Sequence, residues 1–403
     1  MVKCIKFRIP TKSSYFSSDI ITHMQMADEI VDYANKWGRK IGAGIFDNDF
    51  KITNRIIMSV MSLMTFTCII NLYDIFLFRN DMVRCVFCLL TFSADVQGFI
   101  KFYTFLWLRE NILDLKKQSE KFHEHFASVK SSNKFEDQFM IAAHVSAGLT
   151  ILYVCTFILI VIYPIIFYLI MNKRILHFGI ELPLIDWEYS WIGYGINFIH
   201  QVMLTFAFFC ASLCSLYIII CFMTSAIGQF DVLEILLDEL NDLAIGNEDG
   251  KKDDEISTKI KFLIQTHANL IEFLHELRQT FASYYFIELA ALVFQKTVEI
   301  FAIISLNFIP GYLCAVITGF QLFLPCALGS MLVSKGEQFY DDLCNFSWNL
   351  VSISDQKALK FILQYSRKPK GLSAGFVALN FYTFLQIYKT VYSYLVLLDC
   401  FKS

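Results

Sequence analysis

The side chains best suited to chemistry in this chain are polar groups set into apolar helices. Near the C-terminus Thr383, Gln386, Thr390, Ser393, Leu397 and Cys400 recur at spacings of three and four, so an α-helix carries them on one stripe. The stripe is polar for four steps and turns apolar near the chain end. The other faces carry Phe376, Phe381, Tyr382, Phe384, Tyr388, Tyr392 and Tyr394. A membrane helix with one polar stripe must turn it toward water or protein, because lipid cannot satisfy it. Two readings follow. The stripe is a helix–helix interface joined by Ser and Thr, or it is a pore wall in which Leu397 forms a hydrophobic constriction that gates by dewetting.

A second group lies in the middle of the chain. Phe87, Cys88, Thr91 and Phe92, then Tyr153 and Phe157, then Gln201, Leu204 and Thr205, then Phe308 and Tyr312, all fall toward one end of apolar segments. An aromatic cavity with a few hydroxyl and amide groups suits a small, mostly apolar ligand. Ordinary helix packing is the competing account of each residue. Ionisable groups inside the apolar segments are few. Lys101 is placed to snorkel toward an interface, Asp95 lies nearly two turns deeper, and Glu288, Lys296 and Glu299 share a segment on which they can pair. Lys389 sits one residue before Thr390. This is few charges for an ion-coupled transporter.

No nucleotide loop, zincin helix or nucleophile elbow occurs, so no enzyme and no cofactor is expected. Cys85 and Cys88 form a C-x-x-C without a second pair at metal spacing, and the 12 cysteines read as small packing residues. His123 and His125 fall in a charged stretch and read as solvated. The net charge of −3 suggests no nucleic-acid partner.

The elements that must position these residues are membrane helices. The chain is 56% hydrophobic and 18% charged, with 41 Phe, beyond the usual apolar share of soluble domains. Seven spans are expected: Ile56–Phe78, Cys85–Leu108, Ile141–Met171, Asn197–Thr224, Phe281–Leu306, Ile309–Val333 and Leu372–Leu398. The fold class is therefore an all-α membrane protein. The N-terminal stretch lacks an apolar h-region, so no cleaved signal peptide is expected. Lys and Arg fix the orientation: 26 fall in the N-terminal segment and the connections after spans two, four and six, against 5 on the other side. The N-terminus is expected in the cytosol and the C-terminus outside, opposite to a G-protein-coupled receptor. Asn345–Phe346–Ser347, the only N-glycosylation sequon, then lies in the cytosol.

Four regions follow: a cytosolic segment (1–55), a six-helix membrane region with a ligand cavity (56–333), a cytosolic anchor helix (334–371) and a pore-lining last helix with an extracellular end (372–403). Within the second region, cytosolic extensions run from about 225 to 280. Apolar stripes continue through Phe230, Leu233, Leu236, Leu237 and Leu240, through Ile260, Leu263, His267, Leu270, Leu274 and Leu277, and through Phe339, Leu343, Phe346 and Leu350. They serve either packing within the chain or subunit assembly. The charged break Gly246–Glu255 between the first two reads as a disordered loop. The outer connection Asn172–Ile196, with Trp187, Tyr189, Trp191 and Tyr194, is either an interfacial anchor or a lid.

The C-terminal half resembles the insect odorant receptor family. The resemblance runs through His267, Phe273, Leu277 and Phe281, through Gln321–Cys326 with Gly329 and Glu337–Trp348, through Lys357–Pro369, and through Phe384–Leu398. The N-terminal half matches in layout, including Leu182–Pro183 and Trp187. The sister gustatory family ends its last helix with Thr-Tyr and Gln-Phe, where this chain has Ser393–Tyr394 and Cys400–Phe401. A gustatory-type contact chemoreceptor is thus the second choice. The resemblance implies a ligand-gated, non-selective channel for monovalent and divalent cations, embedded in lipid at the plasma membrane of a sensory neuron dendrite. It further implies a heterotetramer in which a tuning subunit joins a shared co-receptor and binds a small volatile ligand. On that basis the gate falls at Leu397, with Cys400 and Phe401 at the outer mouth, where Cys400 departs from the family's usual Gln.

Overall fold

A computed structural model of the chain describes residues 22–126, 132–247, 251–306, 308–368 and 371–402. The side chains of His123, His125, Cys400 and Phe401 lie outside the described set, as do Lys3, Lys6 and Arg8. The described residues form α1 (Thr22–Lys40), α2 (Arg55–Leu77), α3 (Met82–Trp107), α4 (Arg109–Phe126), α5 (Ser132–Met171), α6 (Trp191–Ile245), α7 (Asp253–Leu306), α8 (Ile309–Asn345), α9 (Ile353–Ser366) and α10 (Phe381–Lys402). Among them α2, α3, α5, α6, α7 and α8 are long and apolar enough to cross a membrane. With α10 as the seventh crossing helix, this is the expected all-α membrane fold.

The helix starts are written locally. The Asp81 carboxylate accepts from the amides of Val83 (3.1 Å) and Arg84 (3.2 Å) at the head of α3. The Ser190 hydroxyl accepts from Gly193 N–H at the head of α6 (3.2 Å). Both side chains satisfy amides that have no partner inside the helix.

The bundle is built around α6. Every residue from Phe209 to Leu233 is buried, as expected of a helix that is apolar all round. At about 1.5 Å per residue it runs for roughly 80 Å, so the fourth span and the stripe beyond it are one continuous rod. It packs against α1, α3, α5, α7 and α8. Residues 1–55 are therefore more than a leading segment: α1 lies on α5 and α6 and buries Ile30, Val31 and Ala34. Arg109, at the start of α4, donates to the carbonyls of Ile45 (2.8 Å) and Asp47 (3.2 Å) and ties the loop after α1 to the end of α3.

α6, α7 and α8 project together beyond the apolar segments, and their stripes close on one another. Leu233, Leu237, Leu240, Ile260, Leu263, Leu270, Leu277, Phe339 and Leu343 are all buried within the chain. The His267 ring stacks on Phe339 with centroids 5.6 Å apart, and Lys335 pairs with Asp231 at 2.6 Å. In the charged break, Asp253 to Glu255 form the first turn of α7, where acidic side chains suit the helix dipole. Asn247 accepts from Lys252 N–H (2.9 Å) just before it. These described residues are ordered by capping rather than forming the loop expected from their charge.

The last span also begins later than expected. Residues 373–378 form a hairpin of β1 (Ser373–Ala374) and β2 (Val377–Ala378), and the helix starts only at Phe381. Gly375 has φ +61°, the positive value that tight hairpin turns need. Asn380 then accepts from Thr383 N–H (2.9 Å) and starts α10.

Candidate functional site

The α5–α6 connection folds down onto the helix ends. Gln201 on α6 clamps it: Oε1 accepts from Phe178 N–H (3.1 Å) and Nε2 donates to the carbonyls of Ile180 (2.8 Å) and Phe178 (3.3 Å). Asn197 Oδ1 accepts from Leu182 N–H (2.8 Å), and Asp74 on α2 accepts from Glu181 N–H (2.9 Å). From α3, Cys88 donates its thiol to the Gly179 carbonyl (3.3 Å). A Cβ on Gly179 would stand 2.7 Å from Phe87 Cβ, so the loop approaches α3 this closely only with glycine there. His177, 6% exposed, rests its ring on Phe198 with centroids 4.5 Å apart. Burial pushes its pKa down to about 4.

Beneath this loop lies a cavity of about 60 Å³. Leu90, Thr91 and Asp95 of α3 form one wall, Leu204, Thr205, Phe208 and Phe209 of α6 another, and Phe178 of the loop caps it. Ile160 of α5, Gln295 and Glu299 of α7, and Cys314, Ile317 and Thr318 of α8 complete it. A space of that size holds a handful of water-sized groups. The lining is mostly apolar with a few polar groups, the composition of small-molecule sites.

The expected ligand-contacting residues do not share one place. Thr91, Leu204 and Thr205 line the cavity. Cys88 and Gln201 hold the loop above it. Phe157 stands behind it, edge-on to Phe206 and Phe209 at 6.0 and 5.9 Å. Phe87 and Phe308 meet edge-to-face at 5.0 Å in a separate apolar cluster with Val86, Leu90 and Phe301. Tyr153 is fully buried, and its hydroxyl accepts from Gln321 Nε2 (2.7 Å). Phe92 is half-buried and Tyr312 is 61% exposed, and neither lines the cavity.

The ionisable groups are paired inside the bundle. Lys101 does not snorkel: its ammonium is 3.0 Å from Glu288 and also donates to Gln321 Oε1 at 3.0 Å. Burial inside a ring of helices leaves no route to an interface, so an ion pair replaces solvation. Lys296 and Glu299 pair at 3.3 Å, as their spacing on one helix face anticipates, and Thr318 donates to the same carboxylate oxygen (2.9 Å). Asn71 donates to Asp95.

α10 has two unlike sides. Thr383, Ile387 and Val391 are buried, and Phe384 meets Phe323 of α8 edge-on at 5.7 Å. Among the described residues the helix packs on α7 and α8. On the polar stripe, Gln386 and Thr390 are half-buried and Ser393 is exposed, while Leu397 is 54% exposed. Thr383, the first step of that stripe, turns inward instead. The hydroxyls of Thr390 and Ser393 donate to the carbonyls of Gln386 (2.9 Å) and Lys389 (3.0 Å), so they are satisfied within the helix and remain free to accept from water.

The 7tm odorant receptor family matches residues 81–392. Odorant receptor 82a of Drosophila melanogaster is 21% identical over 338 residues, 79% of this chain and 85% of that one. Putative odorant receptor 83c of the same species is 31% identical over 85 residues, 21% of each chain. Among solved structures, the olfactory receptor OR5 of Machilis hrabei in complex with eugenol superposes with a TM-score of 0.72 at 13% identity, covering 93% of this chain and 98% of that one. The same receptor without the eugenol complex gives a TM-score of 0.68.

Proposed function

The chain belongs to the insect 7tm odorant receptor family, and from that premise we propose that it is a tuning subunit of an odorant-gated, non-selective cation channel at the plasma membrane. A small volatile ligand enters the cavity under the α5–α6 loop. It shifts the subunit toward an open state because it binds that state better than the closed one. The relative solved with eugenol supports a compact organic ligand for this fold. The cavity of this chain agrees in chemistry, with an apolar wall and Thr91 and Thr205 as hydroxyls.

The observation that carries the channel reading is the unlike pair of faces on α10. One face is packed on α7 and α8, and the other leaves Thr390, Ser393 and Leu397 toward the outside of the chain. The Thr390 and Ser393 hydroxyls donate within the helix, and their remaining lone pairs are better served by water than by lipid. A ring of such helices around a water column suits that edge, with Leu397 as the dry constriction. Basic residues place the N-terminus in the cytosol and the end of α10 outside. The assembly surface is the cytosolic end, where α9 exposes Ile353 (71%), Phe361 (65%) and Tyr365 (72%). A shared co-receptor supplies the remaining subunits of a heterotetramer.

The test is current recording from cells that express this chain with and without the co-receptor, during a panel of volatiles. Ligand-evoked cation current that needs both chains is expected. A surface-expressed pair that stays silent to every compound contradicts the reading.

A further inference from the structure

The cavity has an unequal distribution of hydrogen-bonding groups. Its apolar wall is Leu90, Ile160, Leu204, Phe208 and Ile317. Gln295 and Glu299 also line it, one helical turn apart on α7 and 4% and 0% exposed. Glu299 uses one carboxylate oxygen on Thr318 (2.9 Å) and Lys296 (3.3 Å). Its other oxygen, Oε1, is buried and has no hydrogen-bond partner among the described residues. Gln295 Oε1 is in the same condition. Lys296 is engaged instead by the other Glu299 oxygen and the Ala315 carbonyl.

A buried acceptor without a donor is costly, and more so when charged. A site with two such acceptors gains from a guest that donates. We propose that this cavity selects ligands bearing a hydrogen-bond-donating head, a hydroxyl or a primary amine, on a compact apolar body, with Glu299 and Gln295 as the acceptors. An ether or ester of the same shape brings only lone pairs toward Glu299 Oε1 and leaves both acceptors unserved. A hydrocarbon does the same without the repulsion. Sites built to bond a donor discriminate strongly against analogues that lack it. This inference rests on the odorant-binding reading of the cavity.

The experiment records concentration–response curves from the chain co-expressed with the co-receptor. A broad volatile panel is applied first. Benzyl alcohol, benzylamine and 1-hexanol are then compared with benzyl methyl ether, ethylbenzene and hexyl methyl ether. Donors are expected to act at concentrations at least about tenfold lower than their methyl ethers, the value of one good hydrogen bond to a charged group. Glu299→Gln, whose amide can itself donate, should narrow that gap or invert it. Gln295→Met, which removes an acceptor and leaves Lys296 and Glu299 paired, should narrow it as well. The Gln295 variant and the unmodified chain decide the matter if Glu299→Gln does not reach the surface. Agonists that are mostly ethers, esters or hydrocarbons leave the channel reading standing and overturn this one. So does a donor preference unchanged in the variants that reach the surface. A surface-expressed channel silent to the whole panel is a failure of the channel reading and removes this inference with it.

Discussion

Lys101 of α3 and Glu288 of α7 form an ion pair at 3.0 Å in the middle of the bundle, with side chains 2% and 6% exposed. The pair joins a chain of bonds through Gln321 to the Tyr153 hydroxyl, and so links α3, α5, α7 and α8. Taking two charges out of water is costly, and removing one partner leaves the other without compensation. Lys101→Met should therefore destabilise the fold by about 3–5 kcal/mol. The double variant Lys101→Met with Glu288→Leu should recover most of the loss. Thermal unfolding of the purified chain in detergent reads both effects, and a double variant worse than the single one contradicts the account.

His177 makes the α5–α6 loop sensitive to acid. Its pKa in the folded loop is about 4, below the ordinary 6.5, because burial disfavours the charged ring. A depressed base holds fewer protons folded than unfolded, so stability is full above pH 6.5 and falls as pH drops toward 4. At pH 5 the loss is about 2 kcal/mol of loop docking. Ligand-evoked current should fall when the bath is taken from pH 7.4 to 5, and His177→Phe should flatten that dependence. An acid response unchanged in the variant removes His177 as its cause.

The cavity makes a different prediction for two residues that the sequence treats alike. Thr205 lines it, whereas Tyr312 is 61% exposed and does not. Thr205→Leu should raise the concentration needed for half-maximal current about tenfold, equivalent to about 1.4 kcal/mol of lost binding. Tyr312→Ala should leave it within a factor of two or so. Concentration–response curves at matched surface expression check both, and equal effects would mean that the cavity is not the ligand site.

Much of the architecture is legible in the sequence because membrane spans are set by length and hydropathy. α5, α7 and α8 end or begin at the expected residues Met171, Leu306 and Ile309. The hairpin at 373–378 is not legible this way, because its Ala, Phe and Val continue the apolar composition of the helix that follows. Only Gly371, Gly375 and Asn380 mark the break. In the cavity, Thr91, Leu204 and Thr205 stand out as small polar or apolar groups at one level of neighbouring spans. Gln295 and Thr318 do not, since each is an ordinary residue until the rotation of its helix is known. The spacing of four between Gln295 and Glu299 is the one signal that places both on a shared face. Lys101 and Glu288 are 187 positions apart in the chain, and nothing in either local pattern joins them.

The central claim is that the exposed edge of α10 faces a water-filled ion path while its other side is packed. Ser393 lies on that edge, and Tyr388 lies on the packed side against Phe384, with centroids 4.9 Å apart. The most direct measurement applies a charged thiol-modifying reagent from outside to Ser393→Cys and Tyr388→Cys, each co-expressed with the co-receptor, during ligand exposure. The unmodified chain serves as the control for its native cysteines. The account predicts progressive, irreversible block of current at Ser393→Cys and none beyond the control at Tyr388→Cys. Block at Tyr388→Cys with Ser393→Cys unaffected would contradict it.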